Sequence, residues 1–221
     1  WEIPLQSRIG SGIVFNRDIT SPEEAKQEFY DHWGQEVDLK LIDWTPYYDN
    51  NMWDKNVVSI GLSAGFIEPL ESTGLALIIE GIGALTRLIG SGYYNQYDIN
   101  YFNTHMKFGF EQCIDFVNMH YSKSYKDTKF WNYVRDNYKM SKAQEFYQEN
   151  MLSQDPTICG GKGFIFGGMN WINWLIQMGY EISPKAYFNP DNLDERLKML
   201  EGTTEDDVVN HLEFCNKFLC K

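Results

Sequence analysis

Ile60-Gly61-Leu62-Ser63-Ala64-Gly65-Phe66-Ile67-Glu68-Pro69-Leu70-Glu71-Ser72-Thr73-Gly74-Leu75 is the stretch on which the reading of this chain turns. Val57, Val58 and Ile60 predict an apolar strand that runs into small residues and a proline turn. The turn closes in Glu71-Ser72-Thr73-Gly74, at the mouth of an apolar helix expected from about Gly74 to Ile89. The first turn of a helix has backbone N–H groups without intrahelical partners and carries the positive end of the helix dipole. Glycine there lets a ligand come close to the main chain. The stretch reads as a seat for an anion or an anionic cofactor.

On its N-terminal side, Trp1 to Leu5 and Gly10 to Phe15 predict the two strands of a hairpin. Ser21-Pro22-Glu23-Glu24 predicts a helix start, with Ser21 as the cap and Pro22 in the first turn; the helix should stop at Gly34. Val37 to Ile42 alternates and predicts a strand. Asp43 to Lys55 reads as a loop carrying Trp44, Pro46, Tyr47, Tyr48 and Trp53, followed by a strand from Asn56 to Ile60.

Beyond Gly92 helices dominate. Asp98 is expected to cap a helix whose apolar positions Ile99, Phe102, Met106, Phe110, Cys113, Ile114 and Val117 recur at spacings of three and four. Further helices are expected at Lys129 to Tyr138, from Ser141 to about Met151, at Asn170 to Met178, after Asn189-Pro190-Asp191, and after Thr204. Asp155 to Gly168 reads as a glycine-rich loop. The expected organisation is a first module over 1–90 and a helical, substrate-side region over 91–221.

Composition narrows the function classes. A chain of 221 residues with 43% apolar and 16% aromatic residues has ample material for a packed core. Aromatic walls suit flat organic ligands, though cores use the same residues. Its 31 acidic against 19 basic residues give a net charge of −12, which argues against a nucleic-acid partner. Cys113, Cys159, Cys215 and Cys220 follow no metal-ligand spacing, so no metal is expected and the thiols read as reduced. Leu75 to Ile89 is apolar but short and contains Glu80 and Arg87, which favours a buried helix over a membrane span. No secretory signal opens the chain, and a cytoplasmic location is the expectation.

Two glycine clusters do not qualify as phosphate loops. Gly10-Ser11-Gly12 has Phe15 where a third glycine belongs, and a strand is expected after it rather than a helix. Gly160-Gly161-Lys162-Gly163 lacks the spacing and the following Ser or Thr of a nucleotide loop.

The quoted stretch resembles the flavin-dependent halogenases, the tryptophan halogenases and their relatives. These carry Gly-Phe-(Ile/Leu/Val)-Glu-Pro-Leu-Glu-Ser-Thr, matched here by Gly65 to Thr73. Trp1-x-Ile3-Pro4 matches the second half of the family's Trp-x-Trp-x-Ile-Pro signature, so the chain reads as opening in mid-motif. Phe116-Val117-x-x-His120-Tyr121 and Phe130-Trp131 extend the likeness. His120 is read as a core or capping residue, since no acid sits at ligand spacing from it. Leu62 stands where many flavin monooxygenases have Asp; halogenases commonly lack that Asp too.

The resemblance implies an α/β fold of the FAD-binding, glutathione-reductase-like type, with this chain as its C-terminal portion: a few strands, the flavin-contacting strand–turn–helix, and a mostly α-helical region. It implies FAD, reduced by a separate flavin reductase, and chloride or another halide as cofactors. Glu71 matches the active-site glutamate, Thr73 and Gly74 the halide seat, and Gly61, Leu62, Ser63, Ala64, Pro69 and Ser72 the flavin side. Trp1, Ile3 and Pro4 match the passage between flavin and substrate, and Phe164 and Trp171 the substrate walls. The family's catalytic lysine and its GxGxxG turn are expected in a preceding half that these residues do not include. The substrate implied is an electron-rich aromatic such as tryptophan, an indole or a phenol; a homo-oligomer is compatible with the sequence. Two alternatives stand beside this reading: a flavin monooxygenase of the same fold, and a catalytically inactive remnant or interaction module.

Overall fold

The structure, a computed structural model, describes residues 1–90, 92–152 and 165–181. It divides into two compact units, one holding Trp1–Leu41 and the other the described residues from Ile42 onward.

In the first unit, β1 (Glu2–Pro4) pairs antiparallel with β2 (Ile9–Ser11), with Ile3 opposite Gly10. The second strand ends earlier than its sequence suggests. Helix α1 (Pro22–Trp33) begins and ends where expected. Ser21 Oγ accepts from the Glu24 N–H at 3.1 Å while the Glu24 carboxylate accepts from the Ser21 N–H at 2.9 Å, so two orphan donors are satisfied reciprocally. Gly34 closes the helix in the left-handed conformation at φ 64°. Ala25 and Phe29 are its buried side, and Trp33 Nε1 donates to Ser11 Oγ at 3.1 Å. The strand expected over Val37 to Ile42 does not form: a strand needs a partner for its ladder, and none pairs with it among the described residues.

The second unit mixes two-residue strands with helices. β3 (Tyr47–Tyr48) pairs with β6 (Gly65–Phe66), and β4 (Trp53–Asp54) with β5 (Val57–Val58). Every pairing among the described residues is antiparallel and two-stranded. The expected α/β sheet is therefore not seen here; parallel strands require long crossovers, whereas β4 and β5 are joined by a two-residue turn. Gly65 permits the β3–β6 contact, because a Cβ there would lie 2.7 Å from the Tyr47 carbonyl oxygen and 2.7 Å from the Phe110 ring.

Helices α2 (Thr73–Ile89) and α3 (Gln96–Met119) pack on each other and carry the core. Phe102, Met106, Phe110, Cys113, Phe116 and Val117 of α3 are buried, as their spacing requires. The α3 cap is Asn95 rather than Asp98: Asn95 Oδ1 accepts from the Tyr97 N–H at 2.7 Å, and Asp98 reaches back to the Asn95 N–H at 2.8 Å. An Asn three residues before an acid completes a reciprocal cap that Asp98 alone cannot make. Helices α4 (Lys129–Asn137), α5 (Lys142–Met151) and α6 (Gly168–Gln177) follow, with α5 and α6 packed together and α5 on α3. The helices expected after Asn189 and Thr204, and Gly160 to Gly163, lie outside the described residues. The expected boundary near residue 90 falls between α2 and α3, which share one core; the compact units divide instead at Leu41 and Ile42.

Helix α2 is not buried all round. Thr73, Leu77, Gly81 and Ala84 are buried, while Leu75 (67%), Ile79 (71%) and Ile82 (51%) are exposed. The stretch Leu70–Ile89 is long and apolar enough to cross a membrane by length and composition, and the fold buries 22% of it.

Replacing Gly65 with Ala should destabilise the chain by about 1–3 kcal/mol through backbone overpacking. Denaturant unfolding measures it, and Gly74→Ala, where a Cβ meets nothing within 4 Å, serves as the unstrained control.

Candidate functional site

The site is built on the chain reversal between β6 and α2. Gly61–Ser63 forms a single 3-10 turn, entered at Gly61 with φ 69°. Ser63 Oγ is committed locally, accepting from the Ile60 N–H at 3.2 Å and donating to the Ile60 carbonyl at 3.0 Å. Tyr47 donates its hydroxyl to the Leu62 carbonyl and ties this turn to β3. Farther on, Glu71 (φ 60°, ψ 13°) and Ser72 (φ 53°, ψ 29°) are both left-handed, and Thr73 returns to the helical region at φ −52°.

A left-handed residue followed by a right-handed one curls successive N–H groups toward a common point, a nest suited to an anion. Here those groups belong to the start of α2, and Ser72 supplies no side-chain cap to occupy them. Two consecutive left-handed non-glycine residues cost about 1–3 kcal/mol each, and such outliers concentrate at functional sites.

Beside this helix start lies a cavity of about 220 Å³. Gly61, Leu62 and Ala64 of the expected flavin side line it, as do Thr73 and Gly74 of the expected halide seat. The other walls are mostly apolar, with Leu75 and Ile78 from α2 and Met106 and Phe110 from α3, and the acid Glu68 is among them. Thr73 is 1% exposed, whereas Gly74 is open, with no atom within 4 Å of where a Cβ would project. Ser63, Pro69 and Ser72 lie outside the lining. A volume below the ~300–1,000 Å³ of drug-sized pockets suits part of a cofactor, such as a flat ring, rather than a whole dinucleotide.

Glu71 is not in that lining. Its carboxylate meets His120 instead, with Oε1 3.2 Å from Nε2. The His120 ring is held by Nδ1 at 2.9 Å from the Phe116 carbonyl, and by the rings of Phe116 (5.1 Å, edge-on) and Trp174 (4.5 Å). One turn back, Tyr121 donates to Glu68 Oε1 at 2.7 Å. Burial pushes the Glu68 carboxyl above its ordinary value, against the opposing pull of the Tyr121 hydroxyl and of His120. Burial and the neighbouring Glu68 carboxylate raise the Tyr121 phenol in turn. The Glu68/Glu71 pair thus docks on the His120/Tyr121 pair at the end of α3. Local spacing could not reveal this, since the partners are 49 and 53 residues apart.

Of the expected substrate walls, Trp171 is a core residue, 3% exposed, stacked on Tyr147 at 4.9 Å and edge-on to Phe116 at 5.1 Å. The half-buried Trp174, one helical turn on, faces His120. Phe164 lies outside the described residues. Trp1, Ile3 and Pro4 stand exposed on and beside β1 of the other unit. Cys113 is a buried free thiol whose pKa burial raises to about 12. Among the described residues no three His, Cys, Asp or Glu side chains converge as metal ligands.

Comparison with known proteins places this geometry. The family model described as tryptophan halogenase matches residues 1–191. The chain belongs to the tryptophan halogenase family. The tryptophan 6-halogenase SttH of Streptomyces toxytricini is 34% identical over 135 residues, covering 59% of this chain and 26% of the relative. The tryptophan 7-halogenase RebH of Lentzea aerocolonigenes is 31% identical over 135 residues, with 59% and 26% covered. Among solved structures, BrvH, a flavin-dependent halogenase from Brevundimonas sp. BAL3, superposes with a TM-score of 0.76 at 28% identity. That likeness covers 98% of this chain and 46% of BrvH. The chain therefore shares the mixed helix-and-strand fold of flavin-dependent halogenases and spans about a quarter of the length (26%) of the curated tryptophan halogenases it matches.

The raised Glu68 carboxyl carries a pH signature. The folded state holds its proton more tightly than the unfolded state, so stability falls as pH rises from the unfolded value through the raised folded one. Glu68→Gln keeps an acceptor for Tyr121 and removes that titration. Denaturant unfolding across pH 4–8 should show a decline in the wild type that is flattened in the variant.

Proposed function

We propose that this chain is the part of an FAD-dependent halogenase that seats the halide and presents the active-site glutamate for substitution on an electron-rich aromatic ring. One observation carries the reading: Thr73 and Gly74 at the start of α2 border a mostly apolar cavity, while the carboxylate of Glu71, from the same turn, lies outside its lining and meets His120. Halogenation needs that division, because the site where halide is oxidised must stay apart from the ring that receives the halogen.

In this reading Thr73 and Gly74 bind the halide through backbone N–H groups. The open position beside Gly74 lets the ion reach the main chain, and the helix end lowers its energy. Gly61, Leu62 and Ala64 would hold part of the flavin, with Ser63, Pro69 and Ser72 shaping the loops around it. Bound there in its reduced form, FAD supplies the O2-dependent oxidation of halide to hypohalous acid. The glutathione-reductase-like frame for the rest of FAD belongs to this proposal.

Glu71 then polarises the halogenating species or accepts the proton lost by the ring. By motif match alone, Trp1, Ile3 and Pro4 are assigned to the passage and Phe164 to the substrate side. The substrate class is tryptophan or an indole-like ring, by analogy with relatives named tryptophan 6- and 7-halogenases. Motif order supports placing the chain toward the C-terminal side of the family's length, completed by the portion bearing the dinucleotide turn and the catalytic lysine. A separate reductase delivers the reduced flavin, and the cytoplasm is the compartment proposed.

The test is product formation by the full-length protein with FAD, a flavin reductase, O2, chloride or bromide, and a panel of indoles and phenols. Halogenated product that depends on the halide supports the reading; halide-independent hydroxylation replaces it with a monooxygenase. Glu71→Gln should lower turnover about 10²- to 10⁴-fold, the range for a general base, with flavin affinity intact. Gly74→Val, which intrudes on the open position beside the helix start, should instead raise the halide concentration needed for half-maximal rate.

A further inference from the structure

We propose that His120 is the positioning residue of Glu71, holding one carboxylate oxygen through a shared proton so that the other is presented to the ring being substituted. This rests on the reading of Glu71 as the active-site acid. The geometry is specific about protons. A backbone carbonyl can only accept, so the 2.9 Å contact with Phe116 fixes a proton on Nδ1. Nε2 is left facing Glu71 Oε1 at 3.2 Å. Two lone pairs at that distance repel, so the contact is favourable only with one proton between them: imidazolium with carboxylate, or imidazole with carboxylic acid.

The ring cannot turn away easily. Its side chain is 10% exposed and in ring contact with Phe116 and Trp174, whereas the Glu71 side chain is 29% exposed. The more enclosed partner therefore positions the more open one. Among the described residues, Glu68 interacts electrostatically with His120 and is itself bonded to Tyr121 at 2.7 Å. Tying Oε1 leaves Oε2 as the atom able to meet a substrate. A proton taken by Oε2 forms an O–H bond as the ring C–H bond breaks and its electron pair returns to the ring. The pair then holds one proton more than at the start and returns it to solvent between turnovers.

The experiment uses full-length protein labelled with 15N-histidine; this chain contributes four histidines, which single substitutions assign. In the wild type the His120 resonances should show a persistent Nδ1–H and an Nε2 shift that Glu71→Gln moves and Glu68→Gln moves far less. A ring protonated on Nε2 alone, or an Nε2 shift indifferent to Glu71→Gln, overturns the proposal.

The kinetic arm separates positioning from folding. His120→Ala should lower kcat about 10- to 100-fold, the cost of a misplaced catalytic group, with the KM for the aromatic within about twofold. His120→Gln, which can donate to Glu71 without a charge, should recover part of that loss. Wild-type kcat in His120→Ala, or a loss confined to KM, overturns it. If the wild type forms no halogenated product at all, the functional reading fails, while the NMR arm still decides the contact on its own.

Discussion

The structure depends on how the turn from Glu68 to Ser72 is pinned to the C-terminal end of α3. Left to itself, a turn with two successive left-handed non-glycine residues would relax, since each costs about 1–3 kcal/mol. Two side-chain contacts oppose that relaxation: Glu71 with His120 and Glu68 with Tyr121. Hydrogen bonds involving a charged group contribute about 1.5–3 kcal/mol each, so the two are of the size needed to offset the strain. What the turn gains is direction. It sets Thr73 and Gly74 beside the cavity while Glu71, outside the lining, meets His120.

That arrangement needs α2 and α3 to be fixed to one another, and the core does this with unusually large groups. Phe102, Phe116, Met52 and Met119 are almost wholly enclosed, and Gly81 of α2 accepts Met106 of α3 at contact distance. Phe116 links core to site. Its ring stacks on Phe166 at 3.9 Å and meets Trp171 edge-on, while its carbonyl orients His120. Packing and proton placement are therefore coupled through one residue.

The opposite face of α2 has a different character. Leu75, Ile79 and Ile82 remain exposed, in a mostly apolar helix whose charged residues are Glu80 and Arg87. Composition of that order usually marks a helix covered on every side. Here the described residues that pack on α2 are α3 and the turns before the helix, and Leu75 also borders the cavity, so the apolar face begins where the candidate site does.

Much of this was legible from local sequence alone. The α1 cap and stop followed from Ser21, Pro22, Glu24 and Gly34, because capping is decided by neighbours within four residues. The buried stripe of α3 followed from its spacing, and the family from an unbroken motif. The tertiary structure alone decided what depends on distant partners. Val37 to Ile42 alternates like a strand but finds no ladder among the described residues, and Trp171 is buried in the core. His120 is the capping histidine that its sequence suggests, at the C-terminal end of α3, but only the fold brings Glu71 to it across 49 residues of chain. Short-range interactions are written in adjacent letters, whereas the partner that gives a side chain its chemistry is chosen by how helices pack.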